Sequence, residues 1–312
     1  MAISELEQKF RKYAIYSANK LHKAPIEEIF SGYELKPIGQ GLQGRTFKLQ
    51  NSEWVIKEGR WDIDISVMFE NAKLPFPTML AQKVLKLFQF TFLPDEDEIR
   101  RQYEMYLTFV QYFGYFRKDD YYYHENRDLF FSSQKRIRDD LLLYRSEIEK
   151  FFKIKLDDNI EKVLGSKYRY HNFLPKEYLL YGKSISPQNK GRDTYFIIQK
   201  FVEGELLHDL NIDNDDFSDA VIYQLIILIY LILLMRMKDN LLPDTRPRYP
   251  VKEVSDWLLK TDNIIVSSKR VTFVDTRWLW NTKDNTIKKG IIIPSQIERL
   301  CKYYISYLLE HV

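Results

Sequence analysis

The sequence predicts an α+β protein of two lobes, an antiparallel-sheet N-terminal lobe with helical insertions and a mostly helical C-terminal lobe. Three observations carry this expectation. Three short strand patterns follow one another between Tyr33 and Lys57, separated by turn residues. A continuous apolar strand, Thr194–Gln199, runs out into a link that contains Gly204. The run from Ala220 to Met235, whose one strongly polar member is Gln224, then reads as a buried core helix. The boundaries implied are a helical extension over 1–32, a first lobe over 33–200 with an insertion near 115–194, and a second lobe over 201–312.

The bulk properties agree with a globular chain. Its 312 residues are enough for two lobes and a large core. Hydrophobic residues make up 45% and charged residues 29%, both ordinary for a packed domain. A net charge of +3 argues against an extended nucleic-acid surface. Cys301 is the single cysteine, so no disulfide or thiolate metal site forms within the chain, and a reducing, cytoplasmic compartment fits. The first 20 residues alternate charged and apolar positions without a signal-peptide core. The apolar run at 220–235 is shorter than the roughly 20 residues of a membrane span. Asp215, Asp216 and Asp219 precede it closely, so no membrane insertion is expected.

Taken in order, residues 3–22 predict an amphipathic helix on Leu6, Phe10, Ala14 and Ile15. Ala24-Pro25 reads as a linker, followed by a short helix. Strands are expected at 33–38, 45–49 and 54–57, with Asn51-Ser52 as the turn between the last two. Between the first two lies Gly39-Gln40-Gly41-Leu42-Gln43-Gly44, a G-x-G-x-x-G run. Its dinucleotide-binding use needs a helix after the glycines, and here a strand pattern follows. That leaves a plain glycine-rich hairpin, or a flap whose main-chain amides close over nucleotide phosphates. Lys57 ends the third strand, 13 residues after Gly44, where such a flap needs a cation for the α- and β-phosphates.

A helix beginning near Pro94 and its acidic first turn should run to Phe113, with Ile99, Tyr103, Leu107 and Val110 inward. Glu104 sits beside that face, and Gly114 stops the helix. Helices near 133–152 and 159–164 and a strand at 178–181 are expected further on. Asp213, Asp215 and Asp216 lack the glycine and final glutamate of a calcium loop and read as helix-capping residues.

The last informative stretch is residues 260–275. Ile264-Ile265-Val266 and Val271-Thr272-Phe273 are two short apolar strands around the polar turn Ser267-Ser268-Lys269-Arg270. Asn263 enters the first arm and Asp275 leaves the second. A tight hairpin brings these groups together, and an amide oxygen beside a carboxylate suits Mg²⁺, a cation that prefers hard oxygen ligands.

In this order the features resemble the protein-kinase-like superfamily, closest to the branch of aminoglycoside and choline phosphotransferases. The direct matches cover about a fifth of the chain but span residues 39–275. The resemblance implies an ATP-dependent transfer with Mg²⁺ to a small-molecule acceptor. It makes Gly39, Gly41 and Gly44 the phosphate flap and Lys57 the phosphate cation, oriented by Glu104, with Glu98, Glu147 and Glu161 as alternatives. It has Gln199, Lys200, Phe201 and Val202 present main-chain groups to adenine. Asp244-Thr245-Arg246-Pro247 looks like the catalytic loop, with Asp244 as base and Arg246 as a phosphate-neutralising cation; Asn263 and Asp275 hold Mg²⁺. Leu242-Pro243 stands where protein kinases carry His-Arg, and 19 residues separate Asp244 from Asn263, which leaves Asp256 as a rival base. Only 37 residues follow Asp275, too few for a protein-kinase activation segment and peptide-docking lobe. The alternatives are a kinase-like pseudoenzyme that binds a protein partner through the 115–194 insertion, or a protein kinase.

Overall fold

The computed structural model of the chain describes residues 4–41, 44–59, 61–63, 90–92, 95–114, 146, 173–187, 190–210, 218–243, 263–268, 270–275 and 279–281. They belong to two units, Met1–Glu104 with Lys176–Phe201, and Met105–Pro175 with Val202–Val312. The architecture is mixed α+β, and its largest sheet is mostly antiparallel.

In the first unit, α1 (Glu5–Tyr13) starts at Ser4, whose hydroxyl accepts the Glu7 N–H at 3.2 Å. The helix is shorter than its apolar pattern suggests. Ala14 turns extended, and the Ile15 N–H goes to the Leu179 carbonyl at 2.8 Å instead of back along the helix. Ala14 and Ile15 are buried all the same, so the apolar spacing marked core contact correctly but not helix length. The expected linker at Ala24 is instead β1 (Lys23–Ala24), and α2 (Ile26–Ile29) follows.

The meander β2 (Leu35–Gly41), β3 (Gly44–Leu49) and β4 (Trp54–Gly59) comes next, with Asn51 at φ 55° in the turn before β4. A separate pair, β5 (Trp61–Ile63) and β6 (Phe90–Phe92), lies outside the main sheet. With β7 (Glu177–Lys183) and β8 (Asp193–Lys200) the six-stranded sheet has the order β1-β7-β8-β4-β3-β2. Only β1 and β7 run parallel. Residues 177–183, which the sequence places in an insertion, are thus an internal strand of this sheet.

Opposed residues of paired strands share a face. Trp54 and Tyr178 lie on one face, and Phe10 of α1 packs there with ring centroids 5.2 and 5.8 Å from theirs. The N-terminal helix therefore covers one side of the sheet. The Glu7 carboxylate pins it there, accepting from the Tyr178 hydroxyl at 2.6 Å and meeting Lys176 at 2.6 Å and Arg11 at 3.4 Å.

The division between the units falls within α3 (Glu96–Phe113), after Glu104. Asp95 caps this helix by accepting the Glu98 N–H at 2.8 Å. Ile99, Tyr103 and Val110 are buried as the spacing predicts, while Leu107 is half-buried and Tyr106 and Phe109 take inward positions.

The second unit contains β9 (Glu205–Leu206), the 3₁₀ turn Leu207–Asp209, and α4 (Asp219–Asp239), which ends on Asn240 at φ 55°. It also contains β10 (Leu241–Pro243), β11 (Ile264–Val266), β12 (Val271–Phe273) and β13 (Leu279–Asn281). β10 pairs with β13, and β11 pairs with both β12 and β9. Many α4 side chains are buried, including Val221, Leu228, Ile232 and Met235, as a core helix requires. Among the described residues no helix is long and apolar enough to cross a membrane.

Candidate functional site

The G-x-G-x-x-G run forms the end of a two-strand hairpin. Gly39 and Gly41 lie on β2, Gly44 lies on β3, and Gly41 pairs with Gly44. A strand follows the glycines, so this is not the strand–helix turn of a dinucleotide site. The register irregularity between Pro37 and Gly39 marks a bulge at the base of the hairpin, which bends that strand locally.

Lys57 lies on the next strand, and cross-strand pairing fixes its place. Gly39 is opposite Thr46, Thr46 is opposite Lys57, and Lys57 is opposite Ile197. Two strand spacings, roughly 10 Å, separate the Gly39 and Lys57 main chains. Gly44 pairs with Gly59, two residues beyond Lys57 on the same face. The first unit therefore sets a half-buried lysine alongside a glycine hairpin. This juxtaposition suits a polyanion, because main-chain N–H groups and a cation both favour negative charge.

The segment 199–202 leaves the sheet at the end of β8. The Lys200 N–H donates to the Lys176 carbonyl at 2.8 Å, and the Phe201 N–H donates to the Glu53 carbonyl at 2.6 Å. The Gln199 side chain turns inward and is buried, and its amide N–H donates to the Glu177 carboxylate. Val55, Lys57, Gln199 and Glu177 share one face of the sheet, the face opposite α1.

In the second unit, β11 and β12 form the tight hairpin that the sequence predicts. Ser267 and Arg270 close it, with N–H to carbonyl bonds of 2.9 and 3.4 Å. At the open end the Val274 N–H donates to the Asn263 carbonyl at 2.7 Å. Asn263 therefore faces Val274, and Asp275 is the next residue, with both candidate ligands half-buried.

Two segments hold this hairpin, α3 through its side chains and residues 173–174 through their main chain. Phe273 stacks on Phe113 at 6.0 Å and contacts Phe109 at 5.5 Å. The Phe273 N–H donates to the Phe173 carbonyl at 2.6 Å, and the Phe173 N–H to that of Phe113 at 2.8 Å. The Arg270 guanidinium donates to the Leu174 carbonyl at 3.1 Å.

The amide oxygen of Asn263 and the carboxylate of Asp275 are hard donors of the kind Mg²⁺ takes. Among the described residues no three His, Cys, Asp or Glu side chains form a metal cluster. Two protein ligands suit Mg²⁺, which usually completes its shell with water and phosphate oxygens.

Glu104 is exposed on α3, one residue past the buried Tyr103. Of its alternatives, Glu98 pairs with Arg101 one turn along the same helix. Asp244 directly follows β10, but Asp244, Arg246, the rival base Asp256, Glu147 and Glu161 lie outside the described residues. So do the predicted helices near 133–152 and 159–164 (Ser146 apart) and the candidate capping residues Asp213, Asp215 and Asp216.

Sequence reasoning assigned no partner to two polar residues. Glu177 opens β7, ahead of the buried run 178–182, and orients Gln199. Gln224 interrupts the apolar helix and accepts the Val271 N–H at 3.0 Å. In each case the visible signal was a polar residue adjoining an apolar run, which burial obliges to find a partner. No protein-family model, curated protein or solved structure matches this chain.

Proposed function

We propose that the chain is an ATP-dependent phosphotransferase of two-lobed, protein-kinase-like fold, acting on a hydroxyl or amine of a small molecule. The observation that supports this most is the register that lines up Gly39, Thr46 and Lys57 across three strands. A glycine hairpin beside a strand lysine is the arrangement that grips nucleotide phosphates in this reading. The Asn263–Asp275 hairpin end adds the second half of the kit, two hard-oxygen ligands one residue out of register.

In this reading Lys57 holds the α- and β-phosphates, and the hairpin amides around Gly39, Gly41 and Gly44 cover them. The Lys200 carbonyl and Val202 N–H meet the adenine edge. Asp244 accepts the proton of the acceptor hydroxyl or amine, and Arg246 offsets charge on the transferred phosphoryl group. Asn263 and Asp275 would hold Mg²⁺, which when bound neutralises phosphate charge. Phosphoryl transfer rests on positioning and charge neutralisation, so these groups suffice.

The experiment is ATP consumption by the full-length chain with Mg²⁺ against a panel of small hydroxyl and amine compounds, in wild type and Asp275→Ala. Wild-type turnover reduced roughly a hundredfold or more in Asp275→Ala is expected, the rate equivalent of about 3 kcal/mol of charge stabilisation. A wild-type protein that neither binds nor consumes Mg-ATP ends the proposal. Binding without transfer to any acceptor would favour the pseudoenzyme reading.

A further inference from the structure

We infer that Arg45 and Glu58 are positioning residues that hold the glycine hairpin in its phosphate-covering pose, by tying its stem to residues 184–186; the inference rests on the nucleotide site proposed above. Arg45 and Glu58 stand opposite each other on β3 and β4. The row on one side of them is Gly44 with Gly59, and the row on the other is Thr46 with Lys57. The pair therefore lies between the last glycine of the hairpin and the phosphate cation. Because side chains alternate along a strand, it occupies the other face of the sheet and leaves the ligand face clear.

On that face a chain of hydrogen bonds leaves β3 and returns to β4. The Arg45 guanidinium donates to the Ser186 hydroxyl oxygen. The Ser186 N–H donates to the Ser184 hydroxyl oxygen at 3.2 Å, and the Ser184 hydroxyl donates to Glu58 Oε1. The Ser184 N–H is itself held by the Arg192 carbonyl at 2.7 Å, just ahead of β8. Arg45 thus anchors the residue after Gly44 to a segment fixed at both ends.

Two features call for such an anchor. β2 is the last strand of the sheet, so the ladder supports the hairpin from β3 alone, and its glycines leave the backbone free to move. Amides that grip a polyanion do so more tightly when their pose is set beforehand. The second feature is the state of Glu58. It is 1% exposed, and its other oxygen, Oε2, is buried without a hydrogen bond. An apolar side chain of similar size would avoid that cost. A carboxyl group here is accounted for by its hold on Ser184, and through Ser184 and Ser186 on Arg45.

The test is calorimetric titration of the full-length chain with Mg-ATP and with adenosine, for wild type, Arg45→Met, Arg45→Lys and Ser186→Ala. Hydrogen exchange of the β2 and β3 main-chain N–H groups is followed in the nucleotide-free protein alongside. Arg45→Met and Ser186→Ala should each weaken Mg-ATP by about tenfold, the size of one hydrogen bond to a charged donor. Adenosine, which has no phosphates for the hairpin to cover, should bind as before, and exchange at the glycine end of β2 and β3 should speed up. Arg45→Lys keeps a cationic donor and should restore most of the Mg-ATP affinity. If a melting curve shows that Arg45→Met fails to fold, Ser186→Ala, which removes one oxygen, decides the matter. Two results overturn the inference alone: folded variants that weaken Mg-ATP and adenosine equally, or unchanged exchange in the hairpin. A wild type that binds neither compound overturns the underlying phosphotransferase reading, and this inference with it.

Discussion

The Gln224 side-chain oxygen accepts the main-chain N–H of Val271 at 3.0 Å. This one bond ties the long apolar helix α4 to the first residue of β12, the strand that leads to Asp275. Gln224 is 3% exposed and Val271 is fully buried, so water replaces neither partner. Gln224→Leu should therefore destabilise the protein by about 1–3 kcal/mol, the cost of stranding a buried donor. Urea or thermal denaturation measures this. A change within about 0.5 kcal/mol, the range of ordinary surface substitutions, would show that the bond is dispensable.

Gly204 offers a second handle on the same hairpin. Its φ is +142°, and a Cβ there would come 2.4 Å from the Val266 carbonyl oxygen of β11. The chain has to pass this close because β9 pairs with β11 immediately afterwards. Gly204→Ala should cost about 2–4 kcal/mol from strain and overpacking combined, read as a lowered melting temperature. A tolerated alanine would mean that the β9–β11 pairing is looser than described.

Glu7 sets an acid limit on the first unit. Burial raises its pKa, but the hydrogen bonds from Lys176 and Tyr178 and the charges of Lys176 and Arg11 outweigh this and hold it below the ordinary 4.5. A depressed folded value gives stability that is present above the ordinary value and disappears as pH falls through the folded one. Wild type should lose stability below about pH 4.5 more steeply than Glu7→Gln. Parallel unfolding curves for the two from pH 6 to pH 3 would remove Glu7 from the account.

Glu58 predicts the opposite slope. Burial raises its pKa above 4.5, opposed by the Ser184 hydroxyl, the main-chain N–H groups of Ser186 and Ile185, and the charge of Arg45. The groups around it are Arg45 opposite on β3, which also donates to Ser186, Phe196 opposite on β8, and the Ser184–Ser186 turn. A raised folded value gives stability that is complete below the ordinary value and declines as pH rises through the folded one. Glu58→Gln should therefore gain on wild type as pH rises from 4 toward 7. If the two variants keep a constant stability difference over that range, Glu58 does not titrate as its surroundings require.

Much of this was legible in the residue order. Short strand patterns bounded by turn residues marked β3, β4, β11 and β12, a continuous apolar run marked β8, and Asp95 with the acids after it marked the start of α3. The four-residue turn at Ser267–Arg270 was enough to place Asn263 near Asp275, since a two-strand hairpin leaves few other registers. The errors fell where partners distant in sequence took over. Residues 14–22 left the helix once the Leu179 carbonyl captured the Ile15 N–H.

By itself the sequence determined the local elements, their caps and turns, and the proximity of residues joined by a short loop. These depend on side-chain spacing and backbone preference over a few residues. Only the tertiary structure decided that Lys57 lies level with Gly39, that Glu177 orients Gln199, and that Gln224 anchors β12. Each of these joins strands or helices through pairings that no local pattern encodes. Their physical cause is the need of buried polar groups to find partners wherever the fold provides them.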